Sequence, residues 1–399
     1  MTIVGLVLVA AYLALVLDLV LHRRSIVSLD ELPLQDRGAR PRVSIVVAAR
    51  DEERKIGDGL RSLLALDYPD LEIVVVDDRS ADGTGRVIAA LAEKDSRIRP
   101  IRIEELPDGW LGKNHALQRG TDQATGSLVL FTDADVMLEP TIMKRAAGWM
   151  IDQGVDHLTA SPRIVNASFP LRLFVASFTF FMALGQKPWR VADPRSRAHI
   201  GIGAFNLVRR SVYERVGGHH PIRMRPDDDL KLGKLLKEHG AKQRFASGGG
   251  LIRVEWYRTV REAIAGLMKN AYSVVEFNPA LLIWKTLLVL FTCLWPFAAL
   301  LLLAGAAFWI HLGVALLILG LAGHFASRSG LPALYAIAFP FETIVFLFVL
   351  WRSAVLTHLQ GGIRWRGTFY NLSELKARNQ NEEPETETRN QKPETRNEP

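Results

Sequence analysis

The segment Leu128-Val-Leu-Phe-Thr-Asp133-Ala-Asp135 carries the strongest chemical signal in the chain. A run suited to a buried strand ends in two carboxylates at i and i+2, and alternate residues of a strand share a face. Such a strand delivers both acids to the carboxyl edge of a sheet, where ligands bind in open α/β folds. Two hard oxygen donors there suit Mg²⁺ or Mn²⁺ holding a diphosphate. The plain alternative is a solvated turn after a strand, and further acids weigh against it. Asp51-Glu52-Glu53 follow one apolar run, Asp77-Asp78 end another, and Asp227-Asp228-Asp229 precede a helical run. Acids at the ends of successive parallel strands converge on one edge. Their repulsion requires a cation and donor groups, and Lys113, Arg50 and Arg79 are available.

The elements that must position these groups are legible from periodicity. Val43–Ala49, Leu71–Val76 and Ile98–Ile103 read as strands, the first two nearly unbroken apolar runs. Helical spacing covers Glu52–Leu66 (Ile56, Leu60, Leu63, Leu64), a stretch from the Ser80–Thr84 turn to about Lys94, and Asn114–Ala124. Strand–helix alternation predicts a mainly parallel sheet covered by helices, an α/β, Rossmann-like architecture. The Gly-x-Gly-x-x-Gly turn of dinucleotide binders is absent.

The chain has 399 residues, 49% of them apolar, and a mean hydropathy of +0.11. The excess lies at the ends. Residues 3–21 are almost wholly apolar and precede His22-Arg23-Arg24, the pattern of an uncleaved anchor rather than a signal peptide. The block 280–326 is long enough for two spans, and 331–355 is a third candidate. Phe169–Leu184, flanked by Pro170 and Pro188, predicts a helix lying at the membrane surface, or else a core helix. The expected organisation is an anchor at 1–24, a polar linker at 25–40, a catalytic domain at 41–278, transmembrane helices at 279–357, and a juxtamembrane segment with a low-complexity tail at 358–399. The net charge of +7 and the basic residues Arg195, Arg197, Arg209, Arg210, Arg223 and Arg225 suggest anionic lipid or phosphate as a partner. Nothing resembles a nucleic-acid module. The single cysteine, Cys293, excludes an intrachain disulfide framework.

Five motifs in order then carry a resemblance: Val43-Ser-Ile-Val-Val-Ala-Ala-Arg-Asp-Glu-Glu53, Val76-Asp-Asp-Arg-Ser-Ala-Asp-Gly-Thr84, Gly112-Lys-Asn-His-Ala-Leu117, Thr132-Asp-Ala-Asp135 and Asp228-Asp-Leu-Lys-Leu-Gly233. Residues 43–233 resemble a family 2 glycosyltransferase with the GT-A fold. Gly109-Trp-Leu-Gly-Lys113, Asp193-Pro-Arg-Ser-Arg197 and Gly361-Gly-Ile-Arg-Trp-Arg-Gly-Thr368 are similar to membrane-bound hopene-associated and carotenoid glycosyltransferases. The resemblance implies an inverting, metal-dependent transfer of one sugar from a nucleotide diphosphate sugar, a UDP-sugar by expectation, to a lipid-associated acceptor. It implies that Ala48, Arg50, Glu52, Asp77 and Asp78 hold the nucleoside, that Lys113 sits near the diphosphate, and that Asp135, with Asp133, holds the divalent metal. Asp229 matches the catalytic base, with Asp228 beside it. The extra Asp227 leaves that register ambiguous by one residue.

The Gln-x-x-Arg-Trp motif of processive synthases is absent, its nearest approximation being Arg258-Thr-Val-Arg261-Glu262. Two rivals share the motifs: a polyprenyl-phosphate sugar synthase, and a non-catalytic membrane-tethered binding protein on a decayed domain. His219-His220 read as loop residues, His115 as a helix-start residue, and Trp256-Tyr257 as an interfacial belt pair. Glu342 and His311 fall in or near apolar blocks. Arg23-Arg24 predicts a cytoplasmic catalytic domain in a multi-pass protein of the cell membrane. Three later spans would then put Arg364-Trp-Arg366 on the wrong side, which requires one segment that does not cross or a further hidden crossing.

Overall fold

The computed structural model describes residues 1–34, 40–165 and 167–380. An apolar helix, α1 (Thr2–His22), opens the chain and leads to a short strand, β1 (Val27–Ser28). Alternating strands and helices follow: β2 (Val43–Ala49), α2 (Ile56–Leu64), β3 (Leu71–Asp78), α3 (Thr84–Ala92), β4 (Ile98–Ile103), α4 (Gly112–Gln123) and β5 (Leu128–Asp133). Then come β6 (Val136–Leu138), α5 (Ile142–Asp152), β7 (His157–Ser161), β8 (Arg163–Ile164), α6 (Phe169–Gln186), β9 (Asn206–Arg209) and α7 (Arg210–Arg215). The domain closes with α8 (Asp228–Glu238), β10 (Gln243–Ser247), β11 (Ile252–Val254) and α9 (Val260–Ala271).

Among the described residues the main sheet has eight strands in the order β1-β10-β7-β9-β5-β2-β3-β4. All pairings are parallel except those of β9 with β5 and β7. The middles of the central strands are apolar because helices cover both faces: Ile73, Val74, Val75 and Val76 are each 0% exposed. Each such side chain contributes roughly 1.5–3 kcal/mol on burial. A second, three-stranded sheet, β6-β11-β8, lies beside the carboxyl edge. Part of the stretch expected as a polar linker is built into the fold. Val27–Ser28 pairs with β10, and Leu29 is fully buried in the core.

The apolar C-terminal region holds α10 (Pro279–Val289), a π-turn at Leu290–Leu294, α11 (Trp295–Leu302), α12 (Gly305–Arg328) and α13 (Phe339–Gln360). A hairpin of β12 (Gly362–Trp365) and β13 (Thr368–Asn371) follows, then α14 (Leu372–Gln380). The start of the segment expected to be low-complexity is thus helical, and the Glu-Thr-Arg-Asn repeats at 387–390 and 394–397 lie outside the described residues.

Among the described residues, five segments are long and apolar enough to cross a membrane by length and composition: Thr2–Ser25, Phe169–Arg190, Pro279–Leu302, Gly305–Arg328 and Ala333–Gln360. Their connections divide them into two groups. Helix α1 runs parallel to α12, with Gly5 against Ile310 and His311, and Tyr12 hydrogen-bonds Thr292 O at 3.0 Å on the returning segment. In contrast, α6 leaves β8 and returns to β9, so both its ends join the α/β domain. Helix α13 likewise begins beside α6 and ends beside the domain. Phe339 packs on Phe180 (4.7 Å between rings), while Ser353 hydrogen-bonds Met268 O on α9 and Tyr272 Oη lies 2.9 Å from His358 Nε2. His311 and Glu342 are both buried within this helical region.

Candidate active site

The acids gather at the carboxyl edge, as the alternation of strands and helices requires. Register places Ala48 of β2 beside Asp133 of β5, and Ala49 beside Asp77 of β3. Helix α4 starts at the same edge and brings Lys113. Its ammonium lies 3.0 Å from Asp133 and 3.3 Å from Asp228. Helix α8 presents Asp228 and Asp229 in its first turn, where the helix dipole favours negative charge. Asp229 accepts the Gly203 N–H (2.7 Å) and the Leu230 N–H (2.8 Å). A Cβ on Gly203 would sit 2.8 Å from Asp133 Oδ2, so a side chain there would displace the Asp133 carboxylate.

The electrostatics are strongly coupled. Burial opposes the charge of Lys113, but the carboxylates of Asp133, Asp228 and Asp229 outweigh it and hold the ammonium well above the usual lysine range. Burial pushes Asp228 and Asp229 upward, with Lys113 pulling them back down. Asp135 is also raised, by burial and then by Asp133, while Lys55 at 3.1 Å lowers it. Asp227 does not face this cluster. It pairs with the buried Arg225, which also binds Glu276, so the ambiguity among the three aspartates narrows to Asp228 and Asp229.

A second group stands at the ends of β2 and β3. Asp51 and Arg79 adopt left-handed backbone (φ 54° and 56°), a sparsely populated region for non-glycine residues. The Ala81 N–H donates to Asp51 Oδ1 at 2.8 Å, tying the two turns together. Asp78 binds Arg79 at 2.7 Å, with Arg50 at 3.8 Å. Asp77 points to the other face of β3, towards Arg102 and the Ser80 N–H (3.1 Å). The two acids of that motif therefore part, and Asp78 alone joins Arg50 and Glu52. The C-terminal hairpin covers this group: Arg366 pairs with Glu52 and the Arg50 carbonyl, Thr368 lies 3.4 Å from Arg50, and the Gly112 N–H donates to Tyr370 Oη at 3.3 Å.

Several residues of the site were given no role in it by the sequence reading. Asn206, His219 and Leu232 line the cavity with Lys113, Asp133, Asp228 and Asp229. His219 lies in the loop between α7 and α8, as expected, but is buried. Its Nδ1 lies 2.6 Å from Tyr213 Oη, and burial, then Lys113, pushes its ring down to about 3, so it is neutral. The only signal was Gly217-Gly218, whose positive φ (81° and 61°) turns the chain back under α4. His115 and His220 both pack edge-on against Trp110. Tyr257 stands beside the acid pair, its hydroxyl pushed up to about 12 by burial and then by Asp135 and Asp133. Trp256 lies on Tyr257 (4.9 Å) and on Phe178 of α6 (5.2 Å), so this pair sits between the site and the apolar helices. The Arg258–Glu262 stretch is a helix start: Thr259 accepts the Glu262 N–H, and Glu262 accepts the Arg258 N–H at 3.1 Å, a capping box.

The expected basic patch does not form as one surface. Arg209 and Arg210 sit at the far end of the sheet, paired with Asp156 and Glu214, and Arg225 is buried. They follow one another in sequence, but β9 and the α8 loop carry them to different faces.

A family model described as "Glycosyltransferase like family 2" matches residues 41–264, more than half of the chain. The chain belongs to glycosyltransferase family 2. Among curated relatives of this family 2 glycosyltransferase, a probable glycosyltransferase YdaM of Bacillus subtilis is 28% identical over 201 residues, 48% of this chain and 46% of the relative. A 4,4'-diaponeurosporenoate glycosyltransferase of Staphylococcus aureus is 23% identical over 221 residues, 54% of this chain and 56% of the relative. The chain thus spans about half the length of these curated relatives. The fold is similar to that of the mannosyltransferase PcManGT from Pyrobaculum calidifontis, solved in complex with GDP-Man and Mn²⁺. That match has a TM-score of 0.52 at 21% identity and covers 90% of this chain and 98% of the other.

The acid pair fits a divalent ion of that kind. Asp133 and Asp135 are hard oxygen donors at one edge, and each already faces a cation, Lys113 or Lys55. Among the described residues no three acidic, histidine or cysteine side chains form a metal cage. A site of one or two carboxylates completed by substrate phosphates is the usual arrangement for Mg²⁺.

Proposed function

We propose that the enzyme moves one sugar, with inversion, from a nucleotide diphosphate sugar, expected to be a UDP-sugar, to a lipid acceptor at the cytoplasmic face of the cell membrane. One observation carries the lipid part of this reading. An unbroken path of contacts leads from the acids to the apolar helices. Lys55 binds Asp135 at 3.1 Å and Glu255 O at 3.0 Å, and the next residue, Trp256, packs on Phe178 of α6. A hydrophobic acceptor has no reason to leave the bilayer when the site opens at that level.

In this reading α1, the α10–α11 segment and α12 cross the membrane. Helix α6, whose ends both join the catalytic domain, and α13, which runs from α6 back to the domain, lie at its surface. The two crossings between them, α10–α11 and α12, then leave the domain and the Arg364-Trp-Arg366 hairpin on one side, next to Arg23-Arg24, as the positive-inside rule asks. The three-span conflict at the C-terminus is removed because α13 does not cross.

The chemistry follows from the residues. Arg50, Glu52, Asp78 and the Ala48 backbone frame the nucleoside. Asp133 and Asp135 would hold Mg²⁺ or Mn²⁺, which neutralises charge on the leaving diphosphate. Lys113 adds a fixed positive charge at the same place. Asp229, oriented by two backbone N–H groups, takes the acceptor hydroxyl proton. The acceptor oxygen bonds to the anomeric carbon as the bond to phosphate breaks, and one displacement inverts the configuration. No covalent nucleophile is required.

The test supplies full-length protein in nanodiscs with labelled nucleotide sugars and a membrane lipid extract. Label should enter the lipid phase, disappear with a chelator, and carry the inverted anomeric linkage. Label in polymer, or only in water-soluble product, would refute the lipid assignment. Accumulation on a polyprenyl phosphate would decide for the synthase alternative.

A further inference from the structure

A cavity of about 650 Å³ lies apart from the active site and shares no lining residue with it. Its walls are β8, β11, the start of α6 and the turn between α12 and α13: Arg163, Arg172 and Arg253 with Leu331 and Pro332. Its volume falls in the range of small-molecule sites. No acid lines it, and among the described residues no carboxylate pairs with any of the three guanidiniums, which are all exposed. The arginines come from three separate elements, so like charges converge with no carboxylate among the described residues paired to them. Convergent guanidiniums match the planar, bidentate geometry of phosphate.

What borders the cavity identifies the carrier of that phosphate. Phe169, Leu334, Ile337 and Phe341 are exposed by 56%, 71%, 68% and 66%. They belong to the start of α6 and the approach to α13, the same elements that meet the cavity at Leu331 and Pro332. Phe169 packs edge-on against Tyr335 (5.6 Å), which joins the two elements into one apolar rim. Gly330, at the end of α12, has left-handed backbone (φ 76°), and a Cβ there would lie 3.4 Å from Arg163 Nε. That turn therefore holds the basic cavity against the end of a helix read as crossing the membrane.

We infer that this cavity binds the phosphate of an anionic phospholipid of the inner leaflet, with the acyl chains lying along the Phe169–Phe341 rim. The inference rests on the proposed membrane placement of α12, but not on the identity of the sugar acceptor. Binding here holds the catalytic domain at a set height against the bilayer and makes the enzyme sensitive to anionic lipid.

The experiment uses the full chain in phosphatidylcholine nanodiscs containing a titrated fraction of phosphatidylglycerol. Native mass spectrometry counts retained phosphatidylglycerol. The variant Arg163→Gln/Arg172→Gln/Arg253→Gln is compared with Arg215→Gln, which lies on α7. The triple variant should retain phosphatidylglycerol about a hundredfold more weakly, and Arg215→Gln should not differ from the parent. Nucleotide-sugar binding is measured on each to establish folding. If the triple variant fails to bind nucleotide sugar, the three arginines are changed to lysine, which should still weaken retention by loss of the bidentate fork. Equal retention by all variants overturns the site. Displacement of the lipid by millimolar inorganic phosphate, or protection by inorganic phosphate without lipid, overturns the lipid as its source. Retention lost with donor binding and transfer intact separates this site from the proposed catalytic reading.

Discussion

At the residue scale, charge density at the edge of the sheet is the governing quantity. Lys113 faces three carboxylates, and the two acids that start α8 differ in how they are held. Asp228 answers Lys113, whereas both oxygens of Asp229 are oriented by backbone N–H groups. Asp229→Asn should keep donor affinity and reduce transfer by about a hundredfold or more, the scale of general-base removal. Calorimetric donor titration beside single-turnover transfer checks this. A larger loss in Asp228→Asn would move the base by one position. Asp135→Ala should remove the divalent dependence of donor binding, seen as equal affinity with and without Mn²⁺. A carboxylate far from the chemistry offers a contrast. Glu72, 2% exposed, accepts hydrogen bonds from Ser44, Thr125 and Gly126 and pairs with Arg99 at 3.1 Å. Burial opposes its charge, yet these donors bring it down from 4.5 to about 2. Its folded value is depressed, so its stabilisation is complete above about pH 4.5 and is lost as pH falls towards 2. The full effect is on the order of 3 kcal/mol. Glu72→Gln should lower the melting temperature at neutral pH and flatten its decline through that acid window, as thermal unfolding in detergent would report.

At the element scale, the hairpin of β12 and β13 connects the apolar region to the Arg50–Glu52–Asp78 group proposed to frame the nucleoside. It leaves α13 at Gly361 (φ 69°) and turns at Arg366-Gly367 (φ 45° and 79°), so that Arg366 reaches Glu52 and the Arg50 carbonyl. This pair is partly solvated and is worth about 1 kcal/mol. Arg366→Ala should therefore raise the KM for the donor by roughly fivefold with kcat little changed. A fall in kcat alone would show that the hairpin serves the acceptor instead. The second element of note is the α6 contact. Phe174 is 1% exposed and structural, whereas Phe178 is half-buried and meets Trp256. Phe178→Ser should impair transfer to lipid more than hydrolysis of the donor, measured side by side in matched detergent.

At the scale of the whole molecule, the crossing pattern makes a test that uses the chain's single cysteine. Cys293 is buried, so single-cysteine reporters at exposed positions are unobstructed. Ala304→Cys, between α11 and α12, should react with an impermeant maleimide from outside intact cells, and Ser373→Cys only after permeabilisation. Labelling of both from the same side would overturn the three-crossing arrangement.

Much of the catalytic half was readable from residue order because its physics is local. Apolar runs of strand length, helical spacing between them, and acids at the ends of β2, β3 and β5 give a parallel sheet and its ligand edge without knowledge of distant contacts. The membrane candidates were equally local, being runs of sufficient length and hydropathy. What required tertiary structure was every relation between segments far apart in the chain. Asp77 and Asp78 are neighbours in sequence, but strand alternation sends them to opposite faces, and the partners Arg102 and Arg79 show which is which. Asp227 resembles its two neighbours until Arg225 and Glu276 take it away from the site. Apolarity alone gave α13 the mark of a span. Its two ends pack on α6 and on α9 of the domain, a relation that only tertiary structure supplies and that supports the surface placement proposed above. Arg366 meets Glu52 only through folding, across a separation of 314 positions, and no periodicity encodes such a meeting.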